Sequence, residues 1–309
     1  MLQYTSEMKI SEHSRRYLGK VVCLIPLAFR SRLPKKLTQH LWFKGEFSLP
    51  IYPDLKVKLS HQGHQGENEL FWYGLNGSHE GKSMEIVIDF VRKMDVKYFF
   101  DIGANTGTYG VIAKVIKPSL DVYFFEPQST ALQILQENLR LNNFAGKVLD
   151  CALSNYDGEA TLYLQKNSGL LYSAVINRNL WFNAQDTEKV TVQARRFESM
   201  FHTQEFTGIS LFKLDVEFHE IEVLEGIGRM LLVDFAERSG WLIEVLTNEL
   251  AVALEKVFPA SNFNYFNIDD RKKSVRQTPH IEVSDNYNYF VLSKELNITY
   301  TKNGGELLL

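Results

Sequence analysis

Cysteine and long apolar segments are both scarce in this chain of 309 residues. The two cysteines, Cys23 and Cys151, are too few for the disulfide framework of a small secreted protein. Cys151 lies in an apolar context typical of a strand, where a buried free thiol is the ordinary state. We therefore expect a cytoplasmic protein in a reducing environment.

The sequence also lacks an apolar run that could cross a membrane. The most apolar stretch near the N-terminus, "VVCLIPLAF" at residues 21–29, has less than half of the roughly 20 residues that a membrane-spanning helix needs. It contains Pro26 and leads into Arg30 and Arg32 instead of a cleavage site of small residues, which argues against a signal peptide. Two alternatives remain for this segment: a helix or turn packed on the main domain, or a peripheral membrane contact.

A large excess of positive charge is absent as well. The formal net charge is −3, and lysine and arginine form only short clusters, such as residues 271–273. Proteins that bind nucleic acids usually carry a basic face or stripe. The charge balance therefore favours a small-molecule partner over a nucleic acid, and it leaves the oligomeric state open.

Two kinds of apolar pattern divide the chain. Between residues 42 and 72 the segments "FSLPIYP" and "LKVKLS" alternate partly and are separated by prolines and glycines, which predicts a β-hairpin. Farther along, continuous apolar strands such as "KYFFDI" alternate with amphipathic helices such as "STALQILQENLRLNN", which is typical of a parallel sheet covered on both faces. The sequence predicts a helical and β-hairpin region at residues 1–83. An α/β domain with a doubly wound, mostly parallel, Rossmann-like sheet and helices on both faces is predicted at residues 84–309.

The loop "FFDIGANTGTYG", at residues 99–110, joins the first strand of this predicted sheet to its first helix. Gly103 and Gly107 let the backbone approach a ligand closely, and the start of the helix offers free N–H groups. In the dinucleotide fingerprint the second glycine follows the first by two residues, whereas here the interval is four and Asn105 lies between. The loop therefore predicts a nucleotide-like ligand but not a nicotinamide dinucleotide.

Two carboxylates narrow the choice of ligand. Asp101 lies at the end of the first strand, where it can orient the loop or accept a hydrogen bond from the ammonium group of a ligand. Glu126 ends the second strand and can accept hydrogen bonds from both hydroxyls of a ribose. Acidic residues repel a diphosphate and attract a cation. An adenosine with a cationic amino acid tail, as in S-adenosylmethionine, fits this pattern.

Five segments in sequence order carry a resemblance to a known family: "FDIGANTGTYG", "FFEP", "ALSNYDGEATLY", "KLDVEFHEIEVLEG" and "WLIEV". Over about residues 84–246 the chain resembles the FkbM-type family of S-adenosylmethionine-dependent methyltransferases. The resemblance implies a class I, Rossmann-like methyltransferase that transfers a methyl group to a hydroxyl on a sugar, a glycan or a natural product.

The same resemblance implies roles for individual residues of the cofactor site. Glu126 would bind the ribose, and Ala152 and Leu153 would lie against the adenine. Four residues of the loop would hold the amino acid part of the cofactor: Asp101, Gly103, Asn105 and Gly107. The chain departs from the family's motif at Phe218, where the motif has a glycine, and this leaves the geometry of the acceptor open.

The segment "LDVEFHE", at residues 214–220, supplies the candidate catalytic residues Asp215, Glu217 and His219. A hydroxyl is a weak nucleophile at neutral pH, so methyl transfer benefits from a nearby base, and Glu217 or His219 could take the proton. Carboxylates in this segment could also bind Mg²⁺, but their spacing alone does not establish a metal site, and we predict none.

The acceptor is the least determined part of the site. We expect Glu220 and Glu244 to contact it, and aromatic rings are candidates for stacking on a sugar: Trp42, Phe71, Trp72, Tyr73, Trp181 and Phe182. Two other functions stay open. One is a non-catalytic or differently specialised Rossmann-like binding protein, and the other is an N-methyltransferase that acts on an amino sugar.

Overall fold

A computed structural model describes residues 14, 17–18, 21–38, 41, 43–165, 174–176, 187–202, 205–305 and 307. Three of the aromatic residues considered for stacking, Trp42, Trp181 and Phe182, lie outside the described residues. No helix in the described part of the chain is long and apolar enough to cross a membrane.

The N-terminal region contains short helices around one hairpin. Its elements are α1 (Leu27–Arg30), α2 (Lys35–Thr38), β1 (Gly45–Tyr52), β2 (Leu55–His61), α3 (Gln65–Tyr73) and α4 (Gly81–Lys93). β1 and β2 pair antiparallel, as the alternating pattern predicts. Helix α3 was not predicted, because Gly66 lies within it and glycine is a poor helix former. The division of the chain after residue 83 stays a prediction.

The rest of the chain alternates between strands and helices. The elements, in chain order, are β3 (Val96–Ile102), α5 (Thr108–Ile116), β4 (Asp121–Phe125), α6 (Ser129–Leu141), β5 (Lys147–Leu149), β6 (Ala152–Leu153), β7 (Gly158–Gln165), β8 (Ala174–Ile176), β9 (Thr187–Arg195), α7 (Phe197–Met200), β10 (Ile209–Leu214), α8 (Glu220–Ile227), α9 (Arg229–Arg238), β11 (Ser239–Glu244), α10 (Asn248–Val257), β12 (Phe263–Asp269), β13 (Ser274–Thr278), β14 (Asn288–Ser293) and α11 (Lys294–Lys302).

The central sheet has eight strands in the order β13-β12-β14-β11-β10-β3-β4-β5. The pairs from β11 to β5 are parallel, and β14, β12 and β13 add antiparallel pairs at one end. The chain runs outward from β3 to β5 and then returns to β10 on the other side of β3. Doubly wound folds bind ligands at this reversal point. The predicted α/β fold with a mostly parallel, Rossmann-like sheet is therefore confirmed.

Both faces of the sheet are buried. Along β3, Phe99 belongs to the apolar cluster on one face and Phe100 to the cluster on the other. Phe100 stacks on Phe212 of β10, and Phe212 stacks on Trp241 of β11 at 4.1 Å between ring centroids. The hairpin contributes Leu49, among others, to the first cluster. This packing fixes the carboxyl ends of the parallel strands, where the candidate site lies.

A second sheet, in the order β6-β9-β7-β8, lies beside the central one. Its strands β7 and β9 correspond to the alternating segments "GEATLYLQ" and "KVTVQARR". The apolar segment "KVLDCALS", at residues 147–154, forms two short strands in different sheets. The chain turns at Cys151, whose N–H donates to the carbonyl of Leu149, so β5 stays in the central sheet and β6 pairs with β9.

Candidate functional site

A cavity of about 330 Å³ opens at the carboxyl ends of β3, β4, β10 and β11. Its lining combines the loop after β3, the end of β4, the turn at β6 and the segment after β10. The first turn of α3 and residues 78–80 close another side. The cavity therefore lies at the reversal point of the sheet and collects residues from distant parts of the sequence.

The loop after β3 is held in left-handed backbone conformations. Gly103 has φ of +73°, and a Cβ added there would lie 1.8 Å from the carbonyl oxygen of Asp215, so only glycine fits. Asn105, at φ of +50°, is of a type that tolerates this conformation. Gly107 has φ of +75° and precedes α5 as its N-cap. Gly103 and Asn105 line the cavity, whereas Gly107 shapes the start of the helix behind them.

Glu126 ties the end of β4 to this loop. One oxygen of its carboxylate accepts the N–H of Asn105 and the other accepts the N–H of Gln128, each at 2.8 Å. Burial raises the pKa of Glu126 to about 7, although the two backbone N–H groups favour the charged form. Each oxygen keeps a second lone pair. The carboxylate lines the cavity and can still accept the hydroxyls of a ribose there.

Asp101 lies behind the loop and does not line the cavity. It is 1% exposed, and one of its oxygens accepts the N–H of Gly110 at 3.0 Å. Its other oxygen is buried without a hydrogen-bond partner among the described residues. Burial raises the pKa of Asp101 to about 6, and the nearby Lys213 ammonium opposes this. Of the two alternatives left by the sequence, the contacts favour the one in which Asp101 orients the loop and the first turn of α5.

Residues 151–153 form an apolar wall of the cavity. Ala152 and Leu153 are both buried and line it together with Cys151. Leu162 of β7 and Ile176 of β8 complete this wall from the second sheet. A flat, apolar group such as an adenine ring would fit against such a surface.

Lys213 and Asp215 form an ion pair at the end of β10. The Lys213 ammonium lies 2.7 Å from a carboxylate oxygen of Asp215 and donates to the carbonyl of Gly103 at 3.4 Å. Burial lowers the pKa of Lys213, but the surrounding carboxylates, Asp215 first among them, outweigh burial and raise it. The lysine therefore stays charged and links β10 to the loop after β3.

Glu217 enters the cavity from a strained turn. Glu217 has φ of +54° and Phe218 has φ of +72°, which is unusual for residues other than glycine. The position of Phe218, where the family's motif has glycine, thus requires the left-handed conformation. Burial, together with the negative charge of Asp215, raises the pKa of Glu217 to about 7. A carboxyl group with this pKa is suited to exchange a proton near neutral pH.

His219 and Glu220, which the sequence predicts at the substrate, lie away from the cavity. Neither residue lines the cavity. His219 is 4% exposed, its Nε2 is hydrogen-bonded to the hydroxyl of Ser154 at 3.0 Å, and its Nδ1 lies 3.6 Å from Glu222. Glu220 accepts the N–H of Val216 at 3.1 Å. Glu220 thus holds the start of α8 against the turn after β10, and His219 joins the start of α8 to Ser154, which follows β6.

Trp72 does not line the cavity either. It is 2% exposed, and its indole N–H donates to the carbonyl of Leu41 at 3.0 Å and lies 3.1 Å from Asn68 Oδ1. The aromatic cluster around it includes Phe71, whose ring is 5.0 Å away. Trp72 and the aromatic rings around it therefore belong to the apolar core beside the hairpin, and its predicted contact with the acceptor stays a prediction.

Glu244 does line the cavity, and three further residues join it there. Burial and the neighbouring carboxylates raise the pKa of Glu244 well above its ordinary value, and its Oε2 has no hydrogen-bond partner among the described residues. Glu80, Tyr109 and Tyr287 face the same space. Glu80 precedes α4, and Tyr287 precedes β14. Glu80 and Tyr287 lie outside the motifs of the sequence, so pattern alone could not assign them to the site, whereas Tyr109 is part of the loop motif.

The cavity is strongly acidic. Six carboxyl groups line it, and Lys213 is the single Lys or Arg residue among the described residues that do so. Within the described ranges, no group of three or more histidine, cysteine, aspartate and glutamate side chains is arranged to hold a metal ion. Carboxyl groups in their ionised form favour a cationic ligand in this cavity on electrostatic grounds.

The family model described as "Methyltransferase FkbM domain" matches residues 101–265, which is more than half of the chain. "Methyltransferase 1" of Beauveria bassiana is 26% identical over 147 residues, which cover 43% of this chain and 59% of that protein. The 31-O-demethyl-FK506 methyltransferase FkbM of Streptomyces tacrolimicus is 24% identical over 151 residues, which cover 41% of this chain and 58% of that protein. The chain thus spans less than two thirds of the length of these curated relatives.

Among solved structures, a SAM-dependent methyltransferase from Agrobacterium tumefaciens is similar at 8% identity and a TM-score of 0.42, over 80% of this chain and 70% of that chain. Precorrin-6y C5,15-methyltransferase from Geobacter metallireducens is similar at 8% identity and a TM-score of 0.36, over 69% and 87% respectively. The resemblance seen in the sequence is confirmed by the family match. This chain belongs to the FkbM family of methyltransferases, which use S-adenosylmethionine as their methyl donor.

Proposed function

We propose that this protein is an S-adenosylmethionine-dependent O-methyltransferase that acts on a hydroxyl of an uncharged sugar, glycan or natural product. The proposal rests on the set of residues that line one cavity. The glycine loop, Glu126 and the apolar wall at residues 151–153 lie on its cofactor side, and Glu217 and Glu244 line the same space. A binding region for the methyl donor and candidate bases are therefore within one enclosure.

The residues present fit S-adenosylmethionine. Glu126 would accept the ribose hydroxyls, and Ala152 and Leu153 would contact the adenine. The loop at Gly103 and Asn105 would hold the amino acid part, whose ammonium group suits the acidic lining. S-Adenosylmethionine supplies a methyl group on a positively charged sulfur. In their ionised form, the carboxyl groups that line the cavity would stabilise this charge and would disfavour a diphosphate in the same place.

Glu217 is the candidate base for the acceptor. Its carboxylate would take the proton of the hydroxyl as the oxygen forms its bond to the methyl carbon and the bond between that carbon and sulfur breaks. The pKa of Glu217, about 7, allows the carboxylate to be ionised and still basic at neutral pH. Glu244 would accept a hydrogen bond from a second hydroxyl, since its Oε2 has no partner among the described residues.

The acidity of the cavity favours a hydroxyl over an amine as the acceptor. Nearby negative charge stabilises an ammonium group and so raises the pKa of an amine. A protonated amine has no free electron pair and cannot attack the methyl group. In its ionised form Glu217, whose pKa is about 7, would stabilise the ammonium form of an amine acceptor, whereas it can take up the proton of a hydroxyl.

Calorimetry and methyl transfer test the proposal in two steps. We expect S-adenosylmethionine and its demethylated product to bind, and Glu126→Ala to weaken both by about tenfold or more, because two charge-assisted contacts are lost. Glu159→Ala is the control, since Glu159 is exposed on β7. If neither S-adenosylmethionine nor its demethylated product bound, the cofactor assignment would be refuted.

The second step uses S-adenosylmethionine with a labelled methyl group and a panel of acceptors. Neutral sugars and polyols, amino sugars and phosphorylated sugars are compared, and we expect label on a hydroxyl of the neutral class. Label on nitrogen would establish the N-methyltransferase alternative. Binding of the cofactor without transfer to any member of a broad panel would favour the non-catalytic alternative.

A further inference from the structure

We propose that the segment from Val21 to Leu37 docks the protein on a membrane that contains anionic lipids. This inference does not depend on the proposed function, because it concerns a surface and not the cavity. It rests on three observations: which apolar side chains are exposed, how the charges are distributed, and how the segment is held on the body of the protein.

Exposed apolar side chains are concentrated in this part of the chain. Ten large hydrophobic residues are exposed among the described residues, and six of them lie between residues 17 and 37. Leu24 is 81% exposed and Phe29 is 63% exposed. Isolated exposed apolar residues are ordinary on protein surfaces, but a cluster of them marks an interaction site. The six residues are Tyr17, Val21, Leu24, Ile25, Phe29 and Leu37.

The charge of the same segment has one sign. Residues 21–37 contain four lysines and arginines, and the wider range 13–45 contains eight; neither range contains aspartate or glutamate, although the whole chain has a net charge of −3. Arg32, Lys35 and Lys36 are exposed next to the apolar side chains. Cations beside exposed leucine and aromatic side chains are typical of segments that lie in the interface of an anionic bilayer. Protein–protein interfaces, in contrast, are depleted in lysine.

The segment is held on the body of the protein by contacts with α3. Its apolar side chains are therefore exposed on the surface of the folded protein and not only in a detached segment. The guanidinium of Arg30 lies 3.8 Å from the centre of the Phe71 ring. Asn68 donates to the carbonyl of Thr38 at 3.1 Å, and Trp72 donates to that of Leu41. The first turn of α3 lines the cavity. A membrane bound at this surface would therefore lie on the helix that forms one wall of the candidate site.

Sedimentation with lipid vesicles tests the proposal on the full chain. Vesicles of phosphatidylcholine alone are compared with vesicles rich in phosphatidylglycerol, at low and at high salt. We expect binding to the anionic vesicles that weakens as salt is added. Leu24→Ser with Phe29→Ser should lower binding by about tenfold or more, because the buried apolar area is lost. Arg32→Glu with Lys36→Glu should do the same, since each cation near the surface contributes about fivefold.

Matched control variants keep the result specific. Val252→Ser with Ile298→Ser removes apolar side chains that are 56% and 54% exposed elsewhere, and Lys56→Glu with Lys256→Glu reverses exposed charges outside the segment. The controls should bind like the unaltered protein. Thermal unfolding confirms that each variant is folded.

Three results would overturn the proposal. The first is that the unaltered protein does not sediment with anionic vesicles, and the second is that it binds both kinds of vesicle equally. The third is that the control variants lose as much binding as the test variants. Light scattering after gel filtration addresses a protein partner. A dimer that Leu24→Ser with Phe29→Ser dissociates would assign the surface to a second copy of the chain and would also refute docking on a membrane.

Discussion

Replacing Glu217 by glutamine should stabilise the protein above neutral pH and abolish most of its methyl transfer. In the folded protein the pKa of Glu217 is raised from 4.5 to about 7, chiefly by burial and then by the charge of Asp215. The folded state therefore favours the protonated carboxyl group. The contribution of this carboxyl group to the free energy of unfolding is fully present below pH 4.5 and is lost as the pH rises toward 7. Glutamine is neutral at every pH and does not suffer this loss.

The size of the effect follows from the pKa. One pKa unit corresponds to about 1.36 kcal/mol, so ionising Glu217 in the folded protein costs at most about 3 kcal/mol at pH 8. Water that reaches the cavity reduces this cost, and we expect about 1–3 kcal/mol. At pH 5 the difference should be less than about 1 kcal/mol, because most of the folded protein still carries the proton. For a chain of this size the gain at pH 8 corresponds to roughly 2–6 °C in the melting temperature.

Thermal unfolding of the ligand-free protein at pH 5 and pH 8 measures the effect. Glu159→Gln, at an exposed glutamate of β7, is the control and should change stability little at either pH. Methyl transfer by Glu217→Gln should fall by about 10²–10⁴, which is the usual contribution of a general base. Equal stability of the variant and the unaltered protein at pH 8, or equal gains at both pH values, would refute the electrostatic reasoning.

Three further predictions concern the surroundings of the cavity. His219→Ala should cost about 1–3 kcal/mol of stability, because the Ser154 hydroxyl loses its hydrogen bond to the imidazole, while the pH profile of methyl transfer keeps its shape. Loss of the acidic limb of that profile, where activity falls as a general base takes up its proton, would instead support His219 as the base. Asn138→Ala should lower both the melting temperature and the cofactor affinity, since Asn138 joins the Ser60 N–H to the Thr106 carbonyl, and unchanged affinity would contradict this link. Binding of S-adenosylmethionine at mildly acidic pH should release protons, because a bound cation favours the ionised form of Glu126 and Glu217, whose pKa values are about 7. Equal heats of binding in two buffers of different ionisation enthalpy would exclude this proton release.

Much of the fold could be predicted from the sequence because apolar periodicity reports burial directly. The continuous strand "KYFFDI" became β3, and its neighbouring phenylalanines face opposite sides of the sheet, as a strand requires. Helix α3 and the break between β5 and β6 could not be predicted. In both, contacts distant in sequence outweigh local preference: α3 is held by the hairpin and the N-terminal segment, and β6 pairs with β9, about 40 residues away.

For the candidate site, position along the chain was a better guide than side-chain type. The loop after β3, Glu126 and the turn at β6 line the cavity because strand ends meet at one edge of a parallel sheet. The sequence does not show in which direction each of these side chains points. Glu217 and His219 are two residues apart, yet the first lines the cavity and the second binds Ser154 behind it. The pair could be told apart only once the backbone between them was known.

That backbone also explains the departure of the chain from the family's motif. A glycine at position 218 would adopt φ of +72° freely, whereas for phenylalanine this left-handed conformation costs roughly 1–2 kcal/mol of free energy. The left-handed turn is nevertheless present with Phe218, and Glu217 before it is left-handed too. Strain of this kind persists where the surrounding structure fixes the backbone, and it is concentrated at functional sites. Lys213 binds both Asp215 and the Gly103 carbonyl in the loop after β3, and Glu220 accepts the N–H of Val216, so the turn is fixed from both sides. The Glu217 carboxylate therefore lines the cavity although the glycine is missing.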